Sequence, residues 1–529
     1  MTKANDETDQ DVRRERDPSV LPTSKERDKL AVRGGVLTTM SKMVLFVVSI
    51  GSAMVVARLL TPSEFGLFAM SAVLFGLLMK LRNLGWIEAV VQAQALDEPT
   101  LSALFWRNAK FNVLILLLSL MAAPFMAWLF GEPDLLLVVA AIACISFGRG
   151  LSGIHEGVLR RQVRYSDLVR IDVIAVVLST AVVITAAYSG LSYWALVLQE
   201  AVRELLAALL MVWYTRWLPS LKKRTPEIQR RLKAMTGYSL NISGALVINY
   251  IGLMFGSILV GKFFGAASLG IYEKAFKWSR MPFQQFYIPI SKVAMSKFSR
   301  LQDNPKAYST SVFRTVLALY SVITPIFTVL YTEAHYVIMT LFGDQWGEVI
   351  PLFQILIVGT LFASILQIVR SILKAEGRAT TIMRWTLVFS PTMLIASCIG
   401  AYWGVTGVAV AYTSAAALLF LPTIWVCAHG GPLNAWMIVR AIWPPVLCCV
   451  LASAAVHALR ELYNSLPGLI VIAISGSLIL LLAAAVFVLL PGGMRRVHEL
   501  RIAFEPLRDK KKSQNMHTTE TIAASDDRS

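Results

Sequence analysis

The sequence predicts an all-α polytopic membrane protein of about fourteen transmembrane helices, built as two parallel six-helix lobes followed by two C-terminal helices. Three observations predict it. Of the 529 residues, 56% are hydrophobic and only 16% are charged, with a mean hydropathy of +0.61; soluble domains carry about 25% charged residues. Apolar runs of about 20 residues, the length that crosses ~30 Å of hydrocarbon, recur along most of the chain. The chain also resembles itself at an offset of 204 to 214 residues.

The composition argues against a soluble enzyme. The formal net charge of +17 belongs to loop placement in a membrane protein rather than to a nucleic-acid footprint, so no nucleic-acid partner is expected. Cys144, Cys398, Cys427, Cys448 and Cys449 all lie in apolar segments, without metal-ligand spacing. They read as small core residues, and neither a metal nor a cofactor is expected.

Residues 1–33 hold eight basic and eight acidic residues. They have no apolar periodicity and no signal-peptide core, which predicts a solvated cytoplasmic tail. Spans are expected near 36–57, 66–90, 111–130, 135–157, 171–189 and 191–213, which make an N-lobe over 34–214. A basic cytoplasmic linker, 215–236, leads to a C-lobe over 237–427 with spans near 237–260, 266–290, 312–331, 350–370, 385–403 and 405–427. Spans 437–458 and 468–490 occupy 428–490, and 491–529 form a polar cytoplasmic tail.

Basic residues cluster on alternate connections: Arg160, Arg161 and Arg164 on one, and Lys222, Lys223, Arg224, Arg230, Arg231 and Lys233 on another. The opposite connections hold Arg58, Lys262 and Arg460. That asymmetry puts both termini in the cytoplasm. The outer connections are short except Thr332–Val349 and leave no room for a catalytic domain, so the chain is not expected to be an enzyme.

The repeat defines the lobes. Arg58-Leu59-Leu60 with Phe65-Gly66-Leu67-Phe68 matches Lys262-Phe263-Phe264 with Leu269-Gly270-Ile271-Tyr272 at offset 204. Leu129-Phe130-Gly131-Glu132 matches Leu341-Phe342-Gly343-Asp344 at 212. Leu159-Arg160, Arg170 and Gly190-Leu191-Ser192 match Leu373-Lys374, Arg384 and Gly404-Val405-Thr406 at 214. Six spans per copy is an even number, so both copies enter from the same side and are parallel repeats.

The segments Ala57 to Leu67, Leu84-Gly85 with Val90-Val91-Gln92, Leu269 to Ala275, and Phe342-Gly343-Asp344-Gln345-Trp346 resemble the polysaccharide transporter branch of the multidrug/oligosaccharidyl-lipid/polysaccharide exporter superfamily. That branch includes O-antigen and exopolysaccharide flippases, and the resemblance covers residues 34–490. It implies two bundles around a central cavity in the bacterial cytoplasmic (inner) membrane. The implied substrate is a polyprenyl-pyrophosphate-linked oligosaccharide, moved from the cytoplasmic to the outer leaflet by alternating access. Membrane lipids, and a polysaccharide polymerase with its export machinery, are the implied partners.

An anion of that kind needs compensating charge, because desolvating an isolated ion costs on the order of tens of kcal/mol. Ionisable residues within spans are therefore the site candidates. Lys274, Lys277 and Arg280 fall in the eighth span, where Glu273, Lys277, Arg280 and Gln284 follow i, i+4, i+7, i+11 spacing and form one polar stripe. The stripe either lines a cavity or snorkels to the interface. Lys42 in the first span has the same two readings. Glu200, Arg203 and Glu204 are spaced as an internal ion pair or as coupling carboxylates. Arg58 and Lys262 read as interface anchors, and Asn241 and Asn249 as interhelical or sugar-binding amides. Glu333 and His335 are the one acid–histidine pair on the outer side. The competing function is a cation-coupled multidrug antiporter. It calls for membrane carboxylates, which resemblance to those exporters implies in the first and seventh spans; neither contains Asp or Glu, while the glutamates of the sixth span and Asp172 of the fifth keep the alternative open.

Overall fold

A computed structural model describes residues 24–81, 86–93, 96–220, 226–462 and 466–502. Every regular element among them is helical, as hydrocarbon demands of a chain whose backbone groups must all be satisfied internally. The order is α1 (Ser24–Leu59), α2 (Pro62–Leu81), α3 (Trp86–Gln92), α4 (Glu98–Phe130), α5 (Leu135–Leu151), α6 (Gly153–Arg161), α7 (Tyr165–Tyr188) and α8 (Trp194–Thr215). It continues with α9 (Pro226–Arg300), α10 (Pro305–Thr332), α11 (Ala334–Phe342), α12 (Val349–Ala375), α13 (Ala379–Ala401), α14 (Gly404–Ala428), α15 (Ala435–Ala458) and α16 (Gly468–Leu489).

Among the described residues, eleven helices are long and apolar enough to cross a membrane, against the fourteen expected. The expected spans 36–57 and 237–260 lie partly outside the residues whose side chains are described. Within the described residues, the apolar stretch of α1 runs from Met43 to Leu59. Glu200, Arg203 and Glu204 interrupt α8. The seventh and eighth expected spans both lie in α9, whose one non-helical residue is Gly265, at φ 81° and ψ −179°. Helix α1 also starts at Ser24, inside the expected tail, because Lys25 to Ala31 are mostly strong helix formers and extend the helix beyond its apolar part.

The chain forms two compact units, residues 1–273 with 341–345, and residues 274–340 with 346–529. In the first, α7 packs on α1 and α8, and α5 packs on α4 and α8. Val56 of α1 and Leu60 just after it meet Val183, Ala186 and Leu196 in one apolar cluster, and Leu67 and Phe75 of α2 meet Val138, Ile142 and Ile145 in another. In the second unit, α14 packs on α12 and α13, while α15 packs on α10 and α16. Leu366, Phe389, Met393 and Leu419 form part of that core. Large apolar side chains such as Leu118, Met121, Leu418 and Leu481 point outward, the arrangement suited to a lipid surround.

The duplication is visible in the backbone. After α6, Arg164 N donates to Leu159 O at 2.9 Å and Tyr165 N to Val163 O at 2.9 Å. After α12, Arg378 N donates to Leu373 O at 2.9 Å and Ala379 N to Gly377 O at 3.0 Å. The left-handed residues of these turns are Val163 (φ 59°) and Gly377 (φ 72°), again at offset 214.

The paired motifs at the starts of α2 and of the 266–300 part of α9 meet directly. A Cβ on Gly66 would stand 1.6 Å from the carbonyl oxygen of Ala266, and one on Gly270 would stand 2.0 Å from that of Pro62. Pro62 and Ala266 are themselves related by offset 204, so one pair of positions touches twice, reciprocally. The motif builds this crossing. Thr61 N donates to Glu64 Oε2 at 2.6 Å and Glu64 N to Thr61 Oγ1 at 3.4 Å, a capping box that starts α2. Pro62 takes the first helical position and Gly66 clears the crossing. Nearby, Gln345 Nε2 donates to Ala57 O at 2.5 Å and Leu60 O at 3.3 Å, satisfying carbonyls at the end of α1.

Two substitutions test these contacts by thermal unfolding of the purified protein. Gly377→Val forces a branched side chain into the left-handed region and should cost about 1–2 kcal/mol. Gly66→Ala places a methyl group against rigid backbone and should cost about 1–3 kcal/mol.

Candidate cationic site in the membrane-spanning helices

The 266–300 part of α9 carries most of the predicted site residues. Glu273 belongs to the first unit, is half-buried, and accepts a short hydrogen bond from the Ser257 hydroxyl. The other four belong to the second. Lys274 is 7% exposed, with Nζ 4.3 Å from the ring centre of the buried Trp346. An indole face is the most favourable neutral surface for a desolvated ammonium. Lys277 and Gln284 are exposed, and Arg280 is half-buried with Cζ 4.9 Å from the Phe276 ring. Phe276 in turn packs edge-on against Tyr412 of α14. The polar stripe thus divides: Lys277, Arg280 and Gln284 present accessible polar groups, while Lys274 turns inward. Pro282 and Pro289 lie within this helix and bring no N–H to its hydrogen-bond ladder.

The helix is fixed against α12 by polar contacts. Tyr287 donates its hydroxyl to Gln367 O at 2.6 Å and lies 2.7 Å from Ser371 Oγ. Beside Ser371 stands Arg370, half-buried, with Nη2 3.1 Å from Thr386 Oγ1 of α13. Arg370 was not among the predicted residues. A single arginine inside a long apolar helix was the signal that could have found it.

In the first unit the expected ion pair is part of something larger. Arg203 bonds Glu200 at 2.5 Å and approaches Glu204 at 3.4 Å. Glu204 also lies 3.6 Å from Arg149 of α5, which bonds Glu156 of α6 at 2.8 Å, and Glu156 bonds Arg160 at 2.5 Å. The result is an alternating chain of three arginines and three glutamates, neutral overall, with Arg149, Glu156 and Glu204 buried. Arg149 and Glu156, seven residues apart on successive helices, escaped the sequence reading because no single helix contains the network.

The remaining predicted residues are scattered. Lys262 is exposed, with Nζ 5.5 Å from the Trp128 ring, and Arg58 is exposed near Gly343. Glu333 is buried with Oε2 3.6 Å from Arg460, whereas His335 faces outward beside Tyr336. The side chains of Lys42, Asn241 and Asn249 lie outside the described residues, as do Leu84, Gly85 and Lys222 to Arg224.

These features define an internally duplicated, all-helical membrane protein with cations built into a spanning helix. A family model described as polysaccharide biosynthesis protein matches residues 55–351, and the chain belongs to that family. The matched region contains both halves of the Gly66–Gly270 crossing. The chain is 24% identical over 434 residues to the teichuronic acid biosynthesis protein TuaB of Bacillus subtilis, covering 79% of this chain and 86% of that one. To the succinoglycan biosynthesis transport protein ExoT of Rhizobium meliloti it is 22% identical over 416 residues, 78% and 80% of the two chains. To the lipopolysaccharide biosynthesis protein WzxC of Escherichia coli it is 21% identical over 361 residues, 66% and 72%. Among solved structures, the lipid II flippase MurJ in an inward closed conformation matches with a TM-score of 0.70 at 13% identity, covering 86% of this chain and 99% of that one. An inward-facing multidrug resistance MATE family transporter of the MOP superfamily matches at 0.55 and 13% identity, covering 74% and 98%. The fold is the one these two share.

Arg149→Met would leave two buried glutamates facing each other and should destabilise the protein by about 3–5 kcal/mol. Arg160→Gln, at the exposed end of the same chain, should cost under ~1 kcal/mol. Denaturation of the two purified variants measures the difference.

Proposed function

We propose that this protein is a flippase that moves a polyprenyl-pyrophosphate-linked oligosaccharide from the cytoplasmic to the outer leaflet of the bacterial inner membrane. It does so by alternating access, for the synthesis of an exopolysaccharide, O-antigen or capsule. Both termini lie in the cytoplasm, and the protein works beside a polymerase and export machinery without catalysing a reaction itself. The observation that carries the reading is the series Lys274, Lys277 and Arg280 on a spanning helix, with Lys277 exposed and Arg280 partly so. Cations in hydrocarbon are costly, and an anionic cargo is what repays them. The family membership, the transport role in the name of ExoT and the lipid-linked cargo in the name of MurJ support the same reading.

The antiporter alternative calls for a carboxylate that exchanges a cation during the cycle. The buried glutamates of the first unit, Glu156 and Glu204, are each already held by arginines, which disfavours them for that task.

In vesicles at matched protein level, outward appearance of lipid-linked oligosaccharide should fall roughly tenfold for Lys277→Gln and for Arg280→Gln, since a hydrogen bond to a charged group contributes about 1.5–3 kcal/mol. Because both cations face one anion, the double variant should lose less than the sum of the singles. Unimpaired flipping by the double variant would remove this site assignment. Transport of a cationic drug in place of the lipid would favour the antiporter.

A further inference from the structure

At the end of α16 the chain turns at 490–492 and continues as a helix over residues 493–502, anchored where the Arg314 guanidinium pairs with Glu499. This short helix brings Arg496 against the start of α15, with Cζ 5.3 Å from the ring centre of Trp443. Arg440 lies one turn before Trp443 and is exposed. Burial, and after it the charge of Arg440, pushes the Arg496 guanidinium below its usual range. Glu499, the carboxylate one turn along, is committed to Arg314. One nitrogen of Arg496, Nη1, has no acceptor among the described residues. Around this pair the surface is that of an interfacial element. Trp436, Met494 and Val497 are exposed apolar groups, while Arg495 and Arg501 add exposed cations to the same helix.

We propose that Arg440 and Arg496, beside Trp443, form a binding site for the phosphate of an anionic phospholipid headgroup in the leaflet where α16 ends. Two cations that flank one indole attract an anion. A guanidinium stacked on an indole keeps its remaining N–H groups directed at a phosphate. The tryptophans and the exposed apolar residues fit the depth at which headgroup phosphates lie, and clustered arginines beside a spanning helix are suited to anionic lipid. The site is remote in sequence from Lys274, Lys277 and Arg280. It depends on the membrane-spanning fold but not on the flippase reading.

The test uses the full-length protein in neutral detergent, titrated in separate arms with phosphatidylglycerol, phosphatidylcholine and inorganic phosphate, with thermal stability and native mass spectrometry as readouts. Phosphatidylglycerol should raise the unfolding temperature and remain bound, while the other two have little effect. Arg440→Gln, at an exposed position that leaves packing intact, should weaken phosphatidylglycerol binding about tenfold, and Arg496→Gln should do the same. Arg440→Lys should retain part of the binding. The proposal is overturned if Arg440→Gln binds phosphatidylglycerol as the unmodified protein does. It is also overturned if inorganic phosphate alone protects equally well, which would mean a free-anion site. Measured flipping does not enter either outcome.

Discussion

The reciprocal contact of Gly66 with Ala266 and Gly270 with Pro62 sets a condition that much of the first unit obeys. Two helices can bring their backbones this close only where neither carries a side chain at the crossing. The first turns must then start at fixed points, and the surrounding motif supplies those points. Thr61 and Glu64 cap α2, Pro62 sets its first residue, and Gly265 turns the chain into the second helix. What looks in sequence like a loose string of family residues is a set of parts for one crossing, made once in each copy.

Arginine–glutamate pairs hold charge in both units. In the first, every arginine of the buried chain from Arg160 to Glu200 has a glutamate on at least one side, so the interior gains polarity without net charge. In the second, Arg314, Arg378 and Arg460 pair with Glu499, Glu376 and Glu333, and Lys274 and Arg280 also rest against aromatic rings. A ring attracts a cation without neutralising it.

The sequence was readable where a physical rule acts over many residues. Hydrocarbon thickness sets span length, so nearly all the expected spans fall within helices. Duplication preserves turn residues, so Gly131, Gly190, Gly343 and Gly404 mark left-handed turns in both copies. It was less readable where geometry depends on partners distant in the chain. Local spacing found Glu200, Arg203 and Glu204 but not Arg149 and Glu156, which reach them from other helices. Helical spacing grouped Glu273 with Lys277, Arg280 and Gln284 and left Lys274 off that face, but it could not foresee that Trp346, more than seventy residues later, would cover the lysine. Eleven of the described helices pass as membrane spans by length and composition, and α8 is left out because Glu200, Arg203 and Glu204 share its apolar stretch.

The Gln345 side chain closes carbonyls at the end of α1, 288 positions earlier in the chain. That bond has a consequence for assembly. At a synthesis rate of about 5–20 residues per second, Gln345 emerges roughly 15–60 s after Ala57. Until then the end of α1 must satisfy its carbonyls with water or lipid headgroups, a requirement met only at the membrane surface. The first spanning helix made is thus held near the interface and among the last to be completed.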